Sequence, residues 1–215
     1  SGVVYCLTGA DCARVARWLQ SRGVNVAAYY GSLDTNERER LEERLLRNEV
    51  KALVSTVALG MGFDKPDLGF VVHYQRPGSL VAYYQQIGRA GRALDDAIAV
   101  LLNGREDDEI HHYFVSTAFP GEPALRRVLE VVTDEPGIKL SGIEARINIK
   151  RTRLDQCLTF LQVDQAVYRE RGGYFRTPTA WTPDVERWNG VTERRRHELE
   201  RMRGFAESDE CLMRL

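Results

Sequence analysis

Residues 54–92 read VSTVALGMGFDKPDLGFVVHYQRPGSLVAYYQQIGRAGR, and this stretch decides the fold. The apolar runs at 52–56 and 70–74 predict two buried strands, and a helical pattern over 79–87 follows the second. A third apolar run at 97–102 predicts another buried strand. Apolar strands that alternate with helices are typical of a parallel α/β sheet.

The same alternation extends towards the start of the chain. Apolar runs at 3–7 and 26–30 predict two further strands, with a helix over 11–22 between them and a second helix capped by Asp34. Residues 1–118 are therefore predicted to form one α/β domain. Ligands of such sheets bind at the carboxyl ends of the strands, so we expect the chemistry in the loops after Leu7, Thr56 and Tyr74.

The pattern changes after the linker at 119–123. Three helical segments are followed by two short runs that flank Gly172 and Gly173, which predicts a β-hairpin. Three helices followed by a hairpin are the order of a winged-helix module, so residues 119–180 are predicted to form a smaller winged-helix-like domain. Residues 181–215 are predicted to be a linker and a helix that lead to Cys211.

Composition excludes several classes of protein. The formal net charge is −1, with 43% hydrophobic and 28% charged residues, which indicates an ordinary globular chain. No apolar run has the length of a membrane span. The four cysteines form no C-x-x-C pair, so neither a disulfide framework nor a complete zinc site within this chain is expected. We expect a fragment of a longer bacterial cytoplasmic protein that associates with the nucleoid.

The strongest chemical signal is the Q-x-x-G-R-x-G-R pattern at 85–92. Arg89 and Arg92 can point at one polyanion, because guanidinium groups bind phosphate oxygens bidentately. The alternative is a surface turn that binds phosphate nonspecifically. In the loop at 55–66, the Thr56 hydroxyl can hold a nucleic-acid phosphate, and Asp64 can accept from a ribose hydroxyl or orient an arginine.

Residues 54–92 resemble motifs V and VI of the RecQ-family superfamily 2 DNA helicases, and residues 3–33 resemble motif IV. The YYGSL stretch at 29–33 differs from the Y-H-A-G-L frequent in the family, and the acidic stretch at 104–114 resembles the RqlH-like branch. The resemblance implies the second RecA-like lobe of a 3′→5′ DNA helicase. It makes Arg92 the arginine finger, with Arg89 beside it on the phosphates. It places Gly62, Asp64 and Gln85 in the nucleotide cleft and Thr56 on the DNA strand.

The sequence has no G-x-x-x-x-G-K-[ST] motif that could cradle the phosphates of a nucleotide. The resemblance therefore implies that ATP and Mg²⁺ are held mainly by an amino-terminal lobe from elsewhere in the polypeptide, and that this chain alone is inactive. The D-E-x-H sequence at 108–111 imitates a helicase motif, and with His112 it also imitates a metal cluster. Because it lies downstream of the arginines and follows a polar stretch, we interpret it as an exposed helix start.

The region after the linker is predicted to bind DNA, both single strands and the duplex junction. Lys150, Arg151 and Arg153 lie at the start of the third helix, where a helix-turn-helix element meets phosphate. Tyr174 at the hairpin tip could stack on a base. The alternatives are a module for protein contacts and packing of Tyr174 against Tyr168.

Cys211 resembles the first of four zinc-binding cysteines of the RecQ family, so it is a candidate for a single zinc ligand. The competing functions are a superfamily 2 RNA helicase lobe and a non-catalytic DNA-binding or regulatory module with a vestigial RecA-like lobe.

Overall fold

The computed structural model describes residues 1–59 and 63–208 and contains two compact units. The first unit comprises Ser1–Phe114 together with the segment from Arg194, and the second comprises Val115–Glu193. These limits differ from the three predicted segments 1–118, 119–180 and 181–215. Within the described ranges, no helix has the length and apolar character needed to cross a membrane.

The first unit is built on a five-stranded parallel sheet. Its strands are β1 (Gly2–Tyr5), β2 (Val26–Tyr29), β3 (Ala52–Ser55), β4 (Phe70–His73) and β5 (Ile98–Leu101). Their order in the sheet is β2-β3-β1-β4-β5. The strands are short and in register, with Val3 of β1 opposite both Leu53 of β3 and Val71 of β4.

Side chains alternate between the two faces of this sheet, as the two-residue period of a strand requires. One face packs against α1 (Gly9–Ser21), and its cluster includes Val4, Val54 and Phe70. We call it the α1 face. The opposite face packs against α2 (Thr35–Leu46) and α3 (Leu80–Ile87). The resulting layers confirm the predicted RecA-like α/β fold.

The three helices begin at residues whose side chains accept hydrogen bonds from the first turn. Thr8 accepts from the amide of Asp11, Asp34 from that of Asn36, and Ser79 from that of Ala82. Such side chains satisfy amides that have no partner within the helix. The caps fix where α1 and α3 leave the carboxyl edge of the sheet.

The prediction of a buried strand at 97–102 is wrong, because β5 forms the edge of the sheet. The side chain of Ile98 is 64% exposed, and that of Leu102 is 45% exposed. The apolar run resembles that of a central strand, but the order of strands in the sheet leaves one side and much of one face of β5 open.

The second unit has the predicted element order with one addition. It contains α5 (Glu122–Asp134), β6 (Ile138–Lys139), α6 (Leu140–Arg146), α7 (Arg151–Val163), β7 (Val167–Glu170) and β8 (Gly173–Arg176). The added strand β6 pairs antiparallel with β8 and completes a three-stranded sheet. The core comes from the apolar faces of α5 and α7, including Val128, Leu154 and Leu158.

Two further helices complete the description, α4 (Glu106–Ser116) and α8 (Val185–Glu207). The acidic residues of the D-E-x-H region lie in the first turn of α4, as predicted. Cys211 and Gly62, both predicted site residues, lie outside the described residues.

Candidate functional site

The arginines of the Q-x-x-G-R-x-G-R pattern follow the end of α3, and the segment that carries Arg92 lies at the amino edge of the sheet. The amide of Gly91 donates to the carbonyl of Leu68 at 2.9 Å, and the amide of Ala93 donates to that of Pro66 at 2.9 Å. Both acceptors precede β4. The expectation that all the chemistry lies at the carboxyl edge is therefore wrong for the arginines, because α3 carries the chain back across the sheet before the parallel strand β5 begins.

Arg92 meets Asp64 at this edge. Its Nη1 lies 2.8 Å from Asp64 Oδ1, and its Nε donates to the carbonyl of Gly88 at 3.1 Å. The side chains of both Arg92 and Asp64 are at least half exposed. An ion pair this exposed contributes little to stability and exchanges readily with other charged partners.

Arg89 lies beside this pair and is more enclosed. Its Nη1 donates to the carbonyl of Phe63 at 3.0 Å. Burial raises the pKa of Tyr5, and the nearby Arg89 guanidinium acts in the opposite direction. Two segments predicted to share one site are thus brought together, with Arg89 and Arg92 contacting Phe63 and Asp64.

The two glutamines of the pattern have different environments. Gln85 is exposed, whereas Gln86 is buried and its Oε1 lies 2.7 Å from His73 Nε2. Burial lowers the pKa of His73, which favours a neutral ring, and its ring stacks on Tyr5 at a centroid distance of 5.4 Å. Sequence reasoning missed His73 and Gln86. Gln86 follows the buried Tyr83 by three positions, and that helical spacing was the available signal.

Thr56 lies at the opposite, carboxyl edge, directly after β3. Its amide donates to the carbonyl of Tyr29 at 3.2 Å, and its hydroxyl accepts from the amide of Ala58 at 3.2 Å. The hydroxyl therefore stabilises the turn that begins the β3–β4 connection. Thr56 and the Arg92–Asp64 pair occupy opposite edges of the sheet.

The D-E-x-H region is not the exposed helix start expected from the sequence. Asp107 and His111 are buried, and both bind the backbone of Arg76, a residue only 2% exposed. Asp107 Oδ2 accepts from the Arg76 amide at 2.8 Å, and His111 Nε2 lies 2.7 Å from the Arg76 carbonyl. The Arg76 guanidinium bonds to Asp108 and, at 2.8 Å, to Asn103. These carboxylates thus hold the loop after β4, and the described residues contain no group of three potential metal ligands.

The three cations at the start of α7 differ in availability. Lys150 and Arg151 are exposed, and Arg151 pairs with Glu144 at 2.7 Å. Arg153 instead donates to the carbonyls of Thr117 at 3.1 Å and Phe119 at 2.9 Å. The contact of Arg153 with DNA phosphate stays a prediction, although these donors already bind backbone carbonyls of its own unit.

The prediction that Tyr174 stacks on a base is wrong. Tyr174 lies within β8 and is 5% exposed, with the Arg169 guanidinium 5.5 Å from its ring centroid. Tyr168 does not pack on it but stacks on Phe175 at 5.3 Å. The turn is formed by Arg171 and Gly172, both with positive φ, so the hairpin tip lies two residues before the tyrosine.

Comparisons with known proteins found similar sequences and structures. Residues 1–94 match the family model of the helicase conserved C-terminal domain. The ATP-dependent DNA helicase RecQ of Synechocystis is 38% identical over 125 residues, which cover 55% of this chain and 26% of the relative. RecQ of Pasteurella multocida is 42% identical over 102 residues, which cover 47% of this chain and 16% of the relative. The chain thus spans about a quarter or less of these relatives.

Among solved structures, the Escherichia coli DEAD-box protein SrmB, bound to regulator of ribonuclease activity A, has a TM-score of 0.46 and 26% identity. The match covers 52% of this chain and 68% of that one. A DEAD box protein from Methanococcus jannaschii gives a TM-score of 0.45 and 28% identity, covering 54% of this chain and 32% of that one.

The parallel sheet and the family match define the first unit as the C-terminal lobe of a superfamily 2 helicase. Its motifs V and VI lie side by side through the contacts of Arg89 and Arg92. The identities with RecQ proteins agree with the resemblance seen in the sequence.

Proposed function

We propose that this chain supplies the second RecA-like lobe of an ATP-dependent 3′→5′ DNA helicase and that Arg92 is its arginine finger. The observation that carries the proposal is the exposed Arg92–Asp64 pair, with Arg89 beside it, at the amino edge of the sheet. An exposed guanidinium with a second, more enclosed one beside it suits a triphosphate presented by another lobe.

The chemistry follows from how weakly Arg92 is held. Its ion pair with Asp64 is exposed, so exchanging the carboxylate for a γ-phosphate oxygen loses about 0.2–1 kcal/mol of pairing. A guanidinium at that position stabilises the charge that develops on the phosphoryl group during transfer, an effect of about 10³–10⁵ in rate. Asp64, once released, can accept from a ribose hydroxyl, and the exposed Gln85 can reach the same nucleotide.

Arg89 and Arg92 suit the phosphate end of ATP, whereas the sequence has no P-loop motif. We therefore propose that a P-loop lobe in the same polypeptide holds most of the ATP and all of the Mg²⁺. The present chain would then be inactive in ATP hydrolysis by itself.

For nucleic acid, we propose contacts at Thr56 and at the exposed pair Lys150 and Arg151. Thr56 lies where parallel strands present their carboxyl ends, and an exposed backbone turn beside a hydroxyl suits a phosphate oxygen. Lys150 and Arg151 lie at the start of α7, so they can neutralise phosphates. DNA is the proposed substrate because the RecQ relatives are named DNA helicases.

The test is Arg92→Ala in the complete polypeptide. We expect DNA-stimulated ATP hydrolysis to fall by about 10³-fold or more, while ATP affinity changes little, because a finger acts mainly in the transition state. Arg40→Ala is the matched control, since Arg40 also forms an exposed ion pair, at 3.4 Å with Glu37. Normal turnover in Arg92→Ala would rule out the finger role.

A further inference from the structure

The second unit contains an open cavity of about 420 Å³ between the end of α7 and the start of α8. This volume lies within the range of about 300–1,000 Å³ that is typical of ligand pockets. Its aromatic and acidic lining residues include Phe160, Asp164, Trp181, Asp184 and Trp188. None of them belongs to motifs V and VI, so the cavity is separate from the proposed ATP site.

Aromatic rings held in place by their neighbours form much of the cavity wall. Trp188 is 8% exposed, and its ring meets the Phe160 ring edge-on at a centroid distance of 5.4 Å. The Trp181 ring is fixed by a hydrogen bond from its Nε1 to Asp164 Oδ2 at 3.0 Å. Such rings bind either an organic cation or a nucleobase, because both interact favourably with an aromatic face.

The charges at the cavity decide between these two ligands. Among its described lining residues, Asp164 and Asp184 are anionic and Arg187 is cationic. Asp164 directly follows α7, whose carbonyl end carries a partial negative charge. The partial positive charge at the start of α8 is offset by Asp184, whose Oδ1 accepts from the Arg187 amide at 3.0 Å. The net negative charge attracts a cation and repels the phosphates that accompany a nucleobase.

A guanidinium group suits this lining better than an ammonium group does. It is planar, so it stacks on aromatic faces and also binds carboxylate oxygens through paired donors, whereas an ammonium group is a compact point charge. Trp181 already has one guanidinium neighbour, since Arg126 Cζ lies 5.9 Å from its ring centroid, outside the cavity lining. Asp164 accepts one hydrogen bond from Trp181, and a carboxylate has about four acceptor sites, so it can accept more.

We propose that this cavity binds an arginine side chain of a protein partner, with the guanidinium group stacked on Trp181 and hydrogen-bonded to Asp164. Val163 also lines the cavity and is 74% exposed, so apolar surface continues outwards from the charged lining. An aromatic pocket that takes one arginine, with exposed apolar surface beside it, is typical of the anchor points of protein interfaces. The cavity lies in the second unit, so its occupant does not depend on the finger role of Arg92.

The test is a titration of this chain with the peptide acetyl-Gly-Arg-Gly-amide, followed by tryptophan fluorescence. The chain has three tryptophans, and Trp18→Phe removes the exposed one in the first unit, so that the signal comes from Trp181 and Trp188. The same peptide with citrulline in place of arginine is the matched ligand control, because citrulline keeps the planar shape without the charge. We expect saturable quenching by the arginine peptide and at least about tenfold weaker binding of the citrulline peptide.

A pair of variants tests the role of the carboxylate. Asp164→Asn should weaken binding of the arginine peptide at least about tenfold, because the amide oxygen still accepts from Trp181 but the charge is lost. Asp155→Asn is the matched control and should bind as before. Asp155 lies on the same helix, is exposed, and pairs with Arg151 outside the cavity lining. Thermal unfolding should show that both variants remain folded.

Four results would overturn the proposal. They are the absence of saturable quenching by the arginine peptide, equal affinities for the two peptides, equal affinities of Asp164→Asn and Asp155→Asn, and tighter binding of oligothymidylate than of the arginine peptide. Tighter binding of free arginine than of the peptide would overturn the protein source of the ligand. Arg92→Ala should leave the titration unaltered, so the arginine pocket and the finger role hold or fail separately.

Discussion

Replacing Asp108 by Ala should destabilise the first unit far more than the exposure of its side chain suggests. Asp108 is 43% exposed, but its partner Arg76 is 2% exposed and lies beneath the first turn of α4. Removing one partner of a buried ion pair leaves an uncompensated charge and costs about 3–5 kcal/mol. Asn103 still binds Arg76 at 2.8 Å, so we expect the lower end, about 3 kcal/mol.

Glu37→Ala provides a matched control. The side chain of Glu37 is also 43% exposed and also pairs with an arginine, but Arg40 is itself 70% exposed. Such a surface pair is worth less than about 1 kcal/mol.

Urea unfolding of this chain, followed by circular dichroism, measures both changes. In thermal unfolding, the same loss of about 3 kcal/mol corresponds to a fall of about 6–12 °C in Tm for a chain of this size. The double variant Arg76→Met/Asp108→Ala should recover part of the loss, because no unpaired charge remains buried. If Asp108→Ala costs no more than Glu37→Ala, the reasoning from the burial of Arg76 is wrong.

Three other outcomes are expected. Gly172→Ala should lower the free energy of unfolding by about 1–2 kcal/mol, because Gly172 has φ +84°. Gly190→Ala within α8, where the space around the glycine is equally open, should instead raise it by about 0.5–1 kcal/mol. Equal changes of the two variants in urea unfolding would contradict this. Tyr174→Ala should cost about 3 kcal/mol through lost packing, and Tyr174→Phe much less, as thermal unfolding would show. Burial lowers the pKa of His73 and His111 from the ordinary 6.5, so the unfolded chain binds protons more readily than the folded one. The free energy of unfolding should therefore decline as the pH falls below 6.5. A flat profile of unfolding free energy from pH 7 to pH 5 would contradict this reasoning.

Local patterns predicted much of the fold. Asp34 caps α2 because its short side chain reaches the amide of Asn36, two residues later. Such a cap depends only on neighbouring residues, so the sequence alone can predict it. The apolar runs likewise predicted all five strands of the first unit. Strand order is not a local property, however, so the sequence did not show that β5 lies at an edge.

The candidate site was predicted in part. The spacing of motifs V and VI predicted that Asp64 and Arg92 share one site. The edge of the sheet at which they lie depends on the direction of α3, which the general rule for parallel sheets does not take into account. Arg153 and Tyr174 have residue types that suit DNA contacts. Their roles depend on which carbonyls and which strand face lie nearby, and neither can be read from composition.

The open edge at β5 also has a consequence for strand pairing between molecules. A strand with one unpaired side and an outward Ile98 invites the addition of a strand from another molecule, especially while the chain is still folding. Asp95 and Asp96, both exposed, lie two and three residues before that strand. Two adjacent carboxylates beside an apolar segment repel an identical segment brought alongside, which is the charge pattern of residues that oppose aggregation.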